Sequence, residues 1–194
     1  MLKFSTSNKD KIEEIKNASN IPVIEGIDIE EIDSDSILNI ILHKAKDMYL
    51  YTGEEGIIVE DSVLTIDNKV VGDIKFRMQQ LEDNPDLFAG KDTTFTVSLG
   101  VVVEDYIYIF QGHLNGMLDL PQGEGFAFDP YFYPKNYDKK ISLAELKDLG
   151  LKKEVSPRVM AIKKLENYFK NKKGSPDYKV SLKDIKKWKG TYQK

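Results

Sequence analysis

At 194 residues, with 41% hydrophobic and 31% charged side chains and a net charge of −4, the chain suits one sizeable domain, alone or with a small lobe. The absence of cysteine excludes disulfides, thiolate metal sites and a cysteine nucleophile, and the negative balance offers no basic field for nucleic acid. No apolar run reaches bilayer-spanning length, and MLKFSTSNKD lacks the apolar core of a signal peptide, so a cytoplasmic protein without membrane partners is expected.

In chain order, MLKFST predicts a short buried strand. SNKDKIEEIKNAS follows with helical spacing at Ile12, Ile15 and Ala18. IPVIEGIDI reads as a second strand. SDSILNIILHKAKDMYLYTG is the clearest helix, with apolar residues at Ile37, Ile40, Ile41, Ala45 and Met48, Ser34 or Ser36 as N-cap, and Gly53 as the stop. EGIIVEDSVLTID contains an apolar run that ends in the adjacent acids Glu60 and Asp61. DIKFRMQQLE has helical character. TTFTVSLGVVVE and DYIYIFQGHLNGML alternate apolar and polar residues around Glu104-Asp105, which predicts a β-hairpin. SLAELKDLG is a short helix with Ser142 as N-cap and Glu145 completing a capping box. SPRVMAIKKLENYFKN is a longer helix with Pro157 in its first turn, where proline is tolerated. The tail after residue 170 is lysine-rich and broken by Gly-Ser-Pro, and reads as a linker with a small amphipathic helix on a solvated extension. Strands that first alternate with helices and then follow one another indicate a mixed α/β fold.

Four polar clusters can carry chemistry. In TSNKDK, Thr6, Asn8 and Lys11 stand beside a helix N-terminus, which is either an ordinary cap or a polyphosphate site. In VEDS, Glu60, Asp61 and Ser62 close the apolar run at the presumed C-terminal edge of a sheet. Adjacent acids on a strand point to opposite faces, so only one faces a given pocket unless the chain turns. Carboxylates near a phosphate ligand suggest Mg²⁺, a hard ion that takes oxygen donors. In IDIEEID, Glu30 or Glu31 offers a further carboxylate to the same ion. In GEGFAFDPYFYP, Phe126, Phe128 and Tyr131 are either a stacking platform for a base or core, with Asp129 as an acceptor and Lys152 and Arg158 supplying positive charge. Arg77 and Arg158 are the only arginines among 28 basic residues. His43 and His113 lie far apart without ligand spacing and read as non-catalytic.

The order of these clusters resembles the inosine-triphosphate pyrophosphatase family, which removes purine nucleoside triphosphates outside the standard set. The matching motifs are TSNKDK, IDIEEIDS, the Lys44-Ala45 pair, VEDS, GFAFDP from Gly125 to Pro130, LAEL, and SPR with Lys152 four residues before Ser156. They run in order from about residue 4 to about residue 169. The resemblance implies an elongated α/β fold of two lobes around a mixed, strongly twisted sheet, with a central nucleotide cleft and a homodimeric assembly. It implies a domain over 1–170 and a lysine-rich extension over 171–194.

The implied reaction hydrolyses a nucleoside triphosphate to the monophosphate and pyrophosphate with Mg²⁺, or Mn²⁺ in its place. By resemblance Glu31, Glu60 and Asp61 are the metal set, Asp61 the base or water-positioning acid, and Glu60 and Lys11 its catalytic partners. Thr6, Asn8, Lys11, Lys44, Ser62 and Lys152 hold the triphosphate. Phe126 stacks on the base, with Phe128, Asp129, Ser156 and Arg158 around its edge.

Three departures stand out. VLTIDNKVVGDIKF is shorter than the family's loop and lacks its Pro-Gly. Asn39 stands near the place of a family acid. Pro157 replaces the histidine of S-H-R, and proline offers no side-chain donor and no backbone N–H. Shifted base specificity is one consequence of that change, and a catalytically silent nucleotide-binding protein is the alternative in a different class.

Overall fold

The structure is a computed structural model describing residues 1–71, 74–137 and 139–193, with 71 and 74–77 described by backbone alone. The side chain of Arg77 therefore lies outside the described residues, as do Gly72 and Asp73 of the shortened loop. In chain order the elements are β1 (Lys3–Ser5), α1 (Lys9–Ala18), β2 (Val23–Ile24), α2 (Ile37–Thr52), β3 (Ile57–Ile66), β4 (Lys69–Val71) and α3 (Ile74–Asp83). There follow β5 (Asp92–Val103), β6 (Tyr106–Leu118), β7 (Phe132–Pro134), α4 (Leu143–Asp148), α5 (Lys152–Val155), α6 (Pro157–Phe169) and β8 (Tyr178–Ser181). This is the mixed α/β class expected. The sheet is mixed, in the order β2-β1-β3-β5-β6-β7, with β4 on β3 and β8 on β6. β1 is parallel to both β2 and β3, while the β3–β4, β6–β7 and β6–β8 pairs are antiparallel.

The chain divides into two compact units: 1–61, 97–112 and 158–194 in the first, and 62–96 and 113–157 in the second. In the first, the apolar stripe of α2 (Ile41, Leu42, Ala45, Met48) packs on Ile57 and Val59 of β3, Val102 of β5, and Ile107 and Ile109 of β6. Each large aliphatic side chain buried there contributes roughly 1.5–3 kcal/mol. Ser36 caps α2 by accepting from the Asn39 amide, which selects one of the two serines expected. In the second unit, Phe95 meets Phe128 and Phe132 edge-on, with centroids 4.8 Å and 6.4 Å away. The capping box of α4 is present, with Ser142 and Glu145 serving each other's amides.

The hairpin forms where expected: Glu104 and Asp105 carry φ of 48° and 64°, the double left-handed turn whose twist matches paired strands. Three expectations change. The second strand is only two residues long, and 25–36 form no element beyond one isolated bridge at Ile32. The run before the acids does not end there, because Ser62–Ile66 continue β3 with β-branched residues that pair with β4. In the tail, the expected amphipathic helix is instead β8, because the alternating Tyr-Lys-Val-Ser segment completes a free edge of β6. Among the described residues, no helix is long and apolar enough to cross a membrane.

Candidate active site

The first unit gathers its ionisable side chains around two consecutive residues of β3. Because side chains alternate along a strand, Ile57, Val59 and Asp61 share the face on which α2 packs, and Ile58 and Glu60 take the other. Glu60 is 7% exposed and meets cations from two helices. Lys11 of α1 approaches its Oε1 at 3.0 Å. Arg158, at the start of α6, donates from Nε to Oε2 at 2.6 Å and from Nη2 to Oε1 at 2.9 Å, the planar fork that suits guanidinium and carboxylate. The remaining arm of Arg158 donates to Glu14, one turn after Lys11 on α1. Burial alone would raise the Glu60 pKa, but Arg158 and Lys11 outweigh it and hold the carboxyl far below the usual carboxylate range. The same contacts raise the Arg158 guanidinium against the pull of burial.

Asp61 has a different setting. Burial pushes its pKa up to about 6; Lys44 and Lys11 oppose that rise, while Glu31 and Glu60 add to it. Lys44 of α2 lies 3.9 Å from Oδ1 of Asp61 and donates to Glu31. Burial would lower the Lys44 pKa, yet Asp61, Glu31 and Glu60 together raise it. Lys44 thus answers two carboxylates, whereas Glu60 pairs directly with two cations.

The turn between β1 and α1 is largely self-satisfied. Asn8 is the N-cap, its Oδ1 accepting from the amides of Asp10 at 3.0 Å and Lys11 at 3.2 Å. Thr6 Oγ1 accepts from the Asn8 amide at 3.3 Å. Gly26 comes against this turn: a Cβ there would stand 2.8 Å from the Ser7 nitrogen, so only glycine lets the 25–36 loop approach it. Glu31 comes from that loop and Glu30, beside it, lines a separate open hollow with Asp28, Asp47, Tyr51 and Tyr192.

Within the second unit, GFAFDP forms a turn packed on α4. A Cβ on Gly125 would lie 2.9 Å from the Ala144 methyl and 3.0 Å from Cβ of Asp129, which explains glycine at that position. The three aromatics separate. Phe126 is 53% exposed, Phe128 is 5% exposed inside the Phe95 cluster, and Tyr131 is partly buried. Phe128 is a core residue and presents no open face to a base. Asp129 is buried and paired with Lys152 at 2.6 Å. Ser156 is buried just before Pro157, extended as the residue before proline favours. Ser62 opens the second unit's share of β3.

With Phe128 in the core rather than at a base edge, two further expected placements differ. Glu31, Glu60 and Asp61 do not form one ligand set: among the described residues no group of three or more histidines, aspartates or glutamates is arranged to hold a metal ion. The reason is local, since both Glu60 oxygens already serve Arg158 and Lys11. Arg158, expected at a base edge, is 8% exposed and spends its guanidinium on Glu60 and Glu14. Sequence reasoning missed Glu14, although its i+3 spacing from Lys11 on a helix was the signal that both share a face. His43 packs edge-on against Trp188, and the ring of His113 meets Thr96 at 2.9 Å.

A family model described as the Ham1 family matches residues 2–168. A dITP/XTP pyrophosphatase of Sulfurimonas denitrificans is 26% identical over 190 residues, covering 82% of this chain and 93% of that one. A dITP/XTP pyrophosphatase of Ignicoccus hospitalis is 29% identical over 180 residues, covering 85% and 94%. Among solved structures, the Ham1 protein of Staphylococcus aureus superposes with a TM-score of 0.68 at 21% identity, over 88% of this chain and all of that one. That likeness is one of fold.

Proposed function

The chain belongs to the Ham1 family, and on that premise we propose that it is a nucleoside triphosphate pyrophosphatase for purine nucleotides of the dITP and XTP kind. Relatives aligned over more than four-fifths of the chain carry the name dITP/XTP pyrophosphatase. The observation that carries the chemistry is Asp61: a carboxylate whose side chain is 14% exposed, beside Lys44, and whose pKa burial pushes up to about 6. A base is most effective when its pKa lies near the working pH, ionised yet still able to take a proton. In the proposed reaction Asp61 accepts a proton from water, the water oxygen bonds to the α-phosphorus, and the α–β bridging bond breaks to release pyrophosphate.

Mg²⁺ is the proposed cofactor, with Mn²⁺ as its substitute. Asp61 and Glu31 fit it: both are hard oxygen donors, and Mg²⁺ bound with a nucleotide needs only one or two carboxylates beside phosphates and water. Together they carry one more negative charge than Lys44 cancels. When bound, the ion would supply charge neutralisation on the polyphosphate. Glu60 is not a ligand in this proposal; it orders Lys11 and Arg158. Lys11 and Lys44, with side chains 26% and 20% exposed, keep enough solvent access to serve phosphate oxygens. Thr6 and Asn8 shape the turn that presents Lys11. In the second unit, Phe126 is the proposed stacking surface and Asp129, held by Lys152, the proposed acceptor.

Pro157 favours a second reading of specificity. Proline contributes no donor, and the neighbouring Arg158 is committed to carboxylates. A site that loses a base-edge donor loses rejection of the wrong base, so discrimination between 6-keto purines and standard nucleotides is weaker here.

Product analysis across dITP, ITP, XTP and the standard deoxynucleotides tests both statements. Monophosphate and pyrophosphate are the expected products. A diphosphate with inorganic phosphate rejects the proposal, and binding without turnover of any nucleotide identifies a silent nucleotide-binding protein instead. The Pro157→His variant is expected to sharpen selectivity for 6-keto purines.

A further inference from the structure

The end of the chain lies beyond the part matched by the family model, which stops at 168, yet it is built into the first unit at three levels. β8 pairs with the first half of β6, from Tyr106↔Ser181 to Ile109↔Tyr178. Farther on, the Trp188 ring meets His43 edge-on at 5.6 Å, and Lys46 donates to the carbonyl of Ile185. Both contacts land on α2 on either side of Lys44. The last residues then run against the loop that carries Glu31. Tyr192 bridges Ile32, the Gln193 amide donates to the Glu31 carbonyl at 2.8 Å, and the Asp33 amide donates to the Thr191 carbonyl at 3.0 Å. The Gln193 side chain adds a bond to the Ile32 carbonyl at 3.3 Å.

Glu31 needs such support. From Glu25 to Ser36 the backbone has no strand or helix beyond the bridge that Tyr192 provides. An untethered loop spreads its side chains over many positions, at an entropic cost that any ligand must then meet. The early part of the loop is held by Ser5 and Ser7, which accept from the amides of Ile27 and Gly26. At Glu31 itself the backbone bond comes from Gln193. The tail therefore touches the loop at Glu31 and the helix at His43 and Lys46, on either side of Lys44.

From this geometry we infer that residues 185–193 are a clamp that positions Glu31 against Lys44, with Trp188 and the Thr191–Gln193 segment as its positioning residues. The clamp serves the proposed Mg²⁺-dependent reaction, and its role rests on that reading. Partners of metal ligands commonly matter 10–100-fold in metal affinity or activity, because they set where the donor oxygen stands.

The test removes residues 188–194 from the otherwise intact chain and compares it with full-length Trp188→Ala and Trp188→Phe. Folding is checked by circular dichroism and thermal melting. Mn²⁺ binding is titrated by paramagnetic resonance without nucleotide, and the Mg²⁺ dependence of pyrophosphate release from dITP is measured separately. The truncated chain and Trp188→Ala are expected to need about tenfold more of either metal, with turnover at saturating metal little changed. Trp188→Phe, which keeps an aromatic edge on His43, stays near the wild type. In a Glu31→Gln background the truncation adds no further shift, since the clamp acts through that carboxylate.

An unchanged metal requirement in the folded truncated chain overturns the clamp, as does an equal further loss in the Glu31→Gln background. If the truncated chain fails to fold, Trp188→Ala decides by the same criteria. A wild-type protein that binds no Mn²⁺ and releases no pyrophosphate brings down the functional reading itself. Wild-type activity with an indifferent tail brings down the clamp alone.

Discussion

Glu60 and Asp61 are neighbours on one strand and meet opposite fates. Glu60 faces Lys11 and the fork of Arg158, and its carboxyl is held far below the usual range despite its burial. Asp61, on the other face, shares Lys44 with Glu31 and is pushed up to about 6. Burial acts on both in the same direction and Lys11 favours ionisation of both; the Arg158 fork bonded to Glu60, set against the like charges of Glu31 and Glu60 around Asp61, decides the outcome. A carboxylate with surplus cations is a structural anchor. One crowded by other carboxylates binds protons and metals readily, which is what chemistry requires.

The largest expected effect comes from erasing the reactive member of the pair. Asp61→Asn should lower turnover of dITP by about 10²–10⁴-fold, roughly 3–5 kcal/mol of barrier. It should also stabilise the fold at neutral pH. A carboxyl whose pKa rises on folding favours the native state only while protonated, so its contribution is full below the unfolded value and is lost as pH rises through about 6. The rise from 3.8 to about 6 corresponds to about 3 kcal/mol of strain at pH 7, which the amide removes. Higher melting temperature with lost activity would confirm that Asp61 is kept for function at the expense of stability. Near-normal turnover would break the comparison.

Glu60→Gln should do the reverse. It takes one of two carboxylates from the buried Arg158, which still pairs with Glu14, and removes the counter-charge from Lys11. Breaking one side of a buried pair costs about 3–5 kcal/mol, so chemical denaturation should show a loss of that size. The native pairing gives stability that is full above the ordinary carboxylate range, declines steadily as pH falls below 4.5, and is gone once pH passes the depressed folded pKa. A Glu60→Gln protein as stable as the wild type would show that the anchor is not one.

A control away from the strand sharpens the contrast. Phe126→Ala removes an exposed ring of the second unit and keeps both carboxylates in the chain. If it stacks on the base, KM for dITP should rise by the equivalent of about 1–3 kcal/mol with kcat less affected. Stability should barely move, because the ring is already more than half exposed. An unchanged KM would remove Phe126 from the proposed site.

Much of this was legible in the sequence, for reasons that can be named. The α2 stripe, the Glu104-Asp105 hairpin and the Ser142–Glu145 box are local patterns whose physics acts within a few residues, and each forms as expected. Lys11, Lys44, Glu60 and Asp61 were all singled out, and the structure brings them together in one unit. What the sequence did not reveal depends on pairing between distant segments. Nothing near Glu60 announces that Arg158, 98 residues later, will saturate it. Nothing in a lysine-rich tail announces that it meets Ile32 or His43, since a short alternating segment reads equally as linker or edge strand until its partner is known. Phe128 and Phe126 are two residues apart in one motif, and only the fold of the turn puts one in the core and leaves the other outside.

The smallest effect is the most specific. If Asp61 is the base, kcat/KM for dITP should be flat at neutral pH and fall tenfold per unit on the acid side, with the limb at or below the value of about 6 to which the carboxyl is pushed without metal. Glu31 is one of the charges that raise the Asp61 pKa. Replacing it with glutamine removes a like charge and leaves Lys44 to Asp61 alone, so the ionised form of Asp61 is favoured and the acid limb moves to lower pH. The same change applied to Glu60 is confounded by the loss of the Arg158 fork, so Glu31→Gln is the cleaner probe. The two proteins are compared at the same saturating Mg²⁺, because a bound cation lowers the pKa of a carboxylate that holds it. A limb that stays in place, or moves upward, would mean that the ionisation seen in the rate belongs to a group other than Asp61.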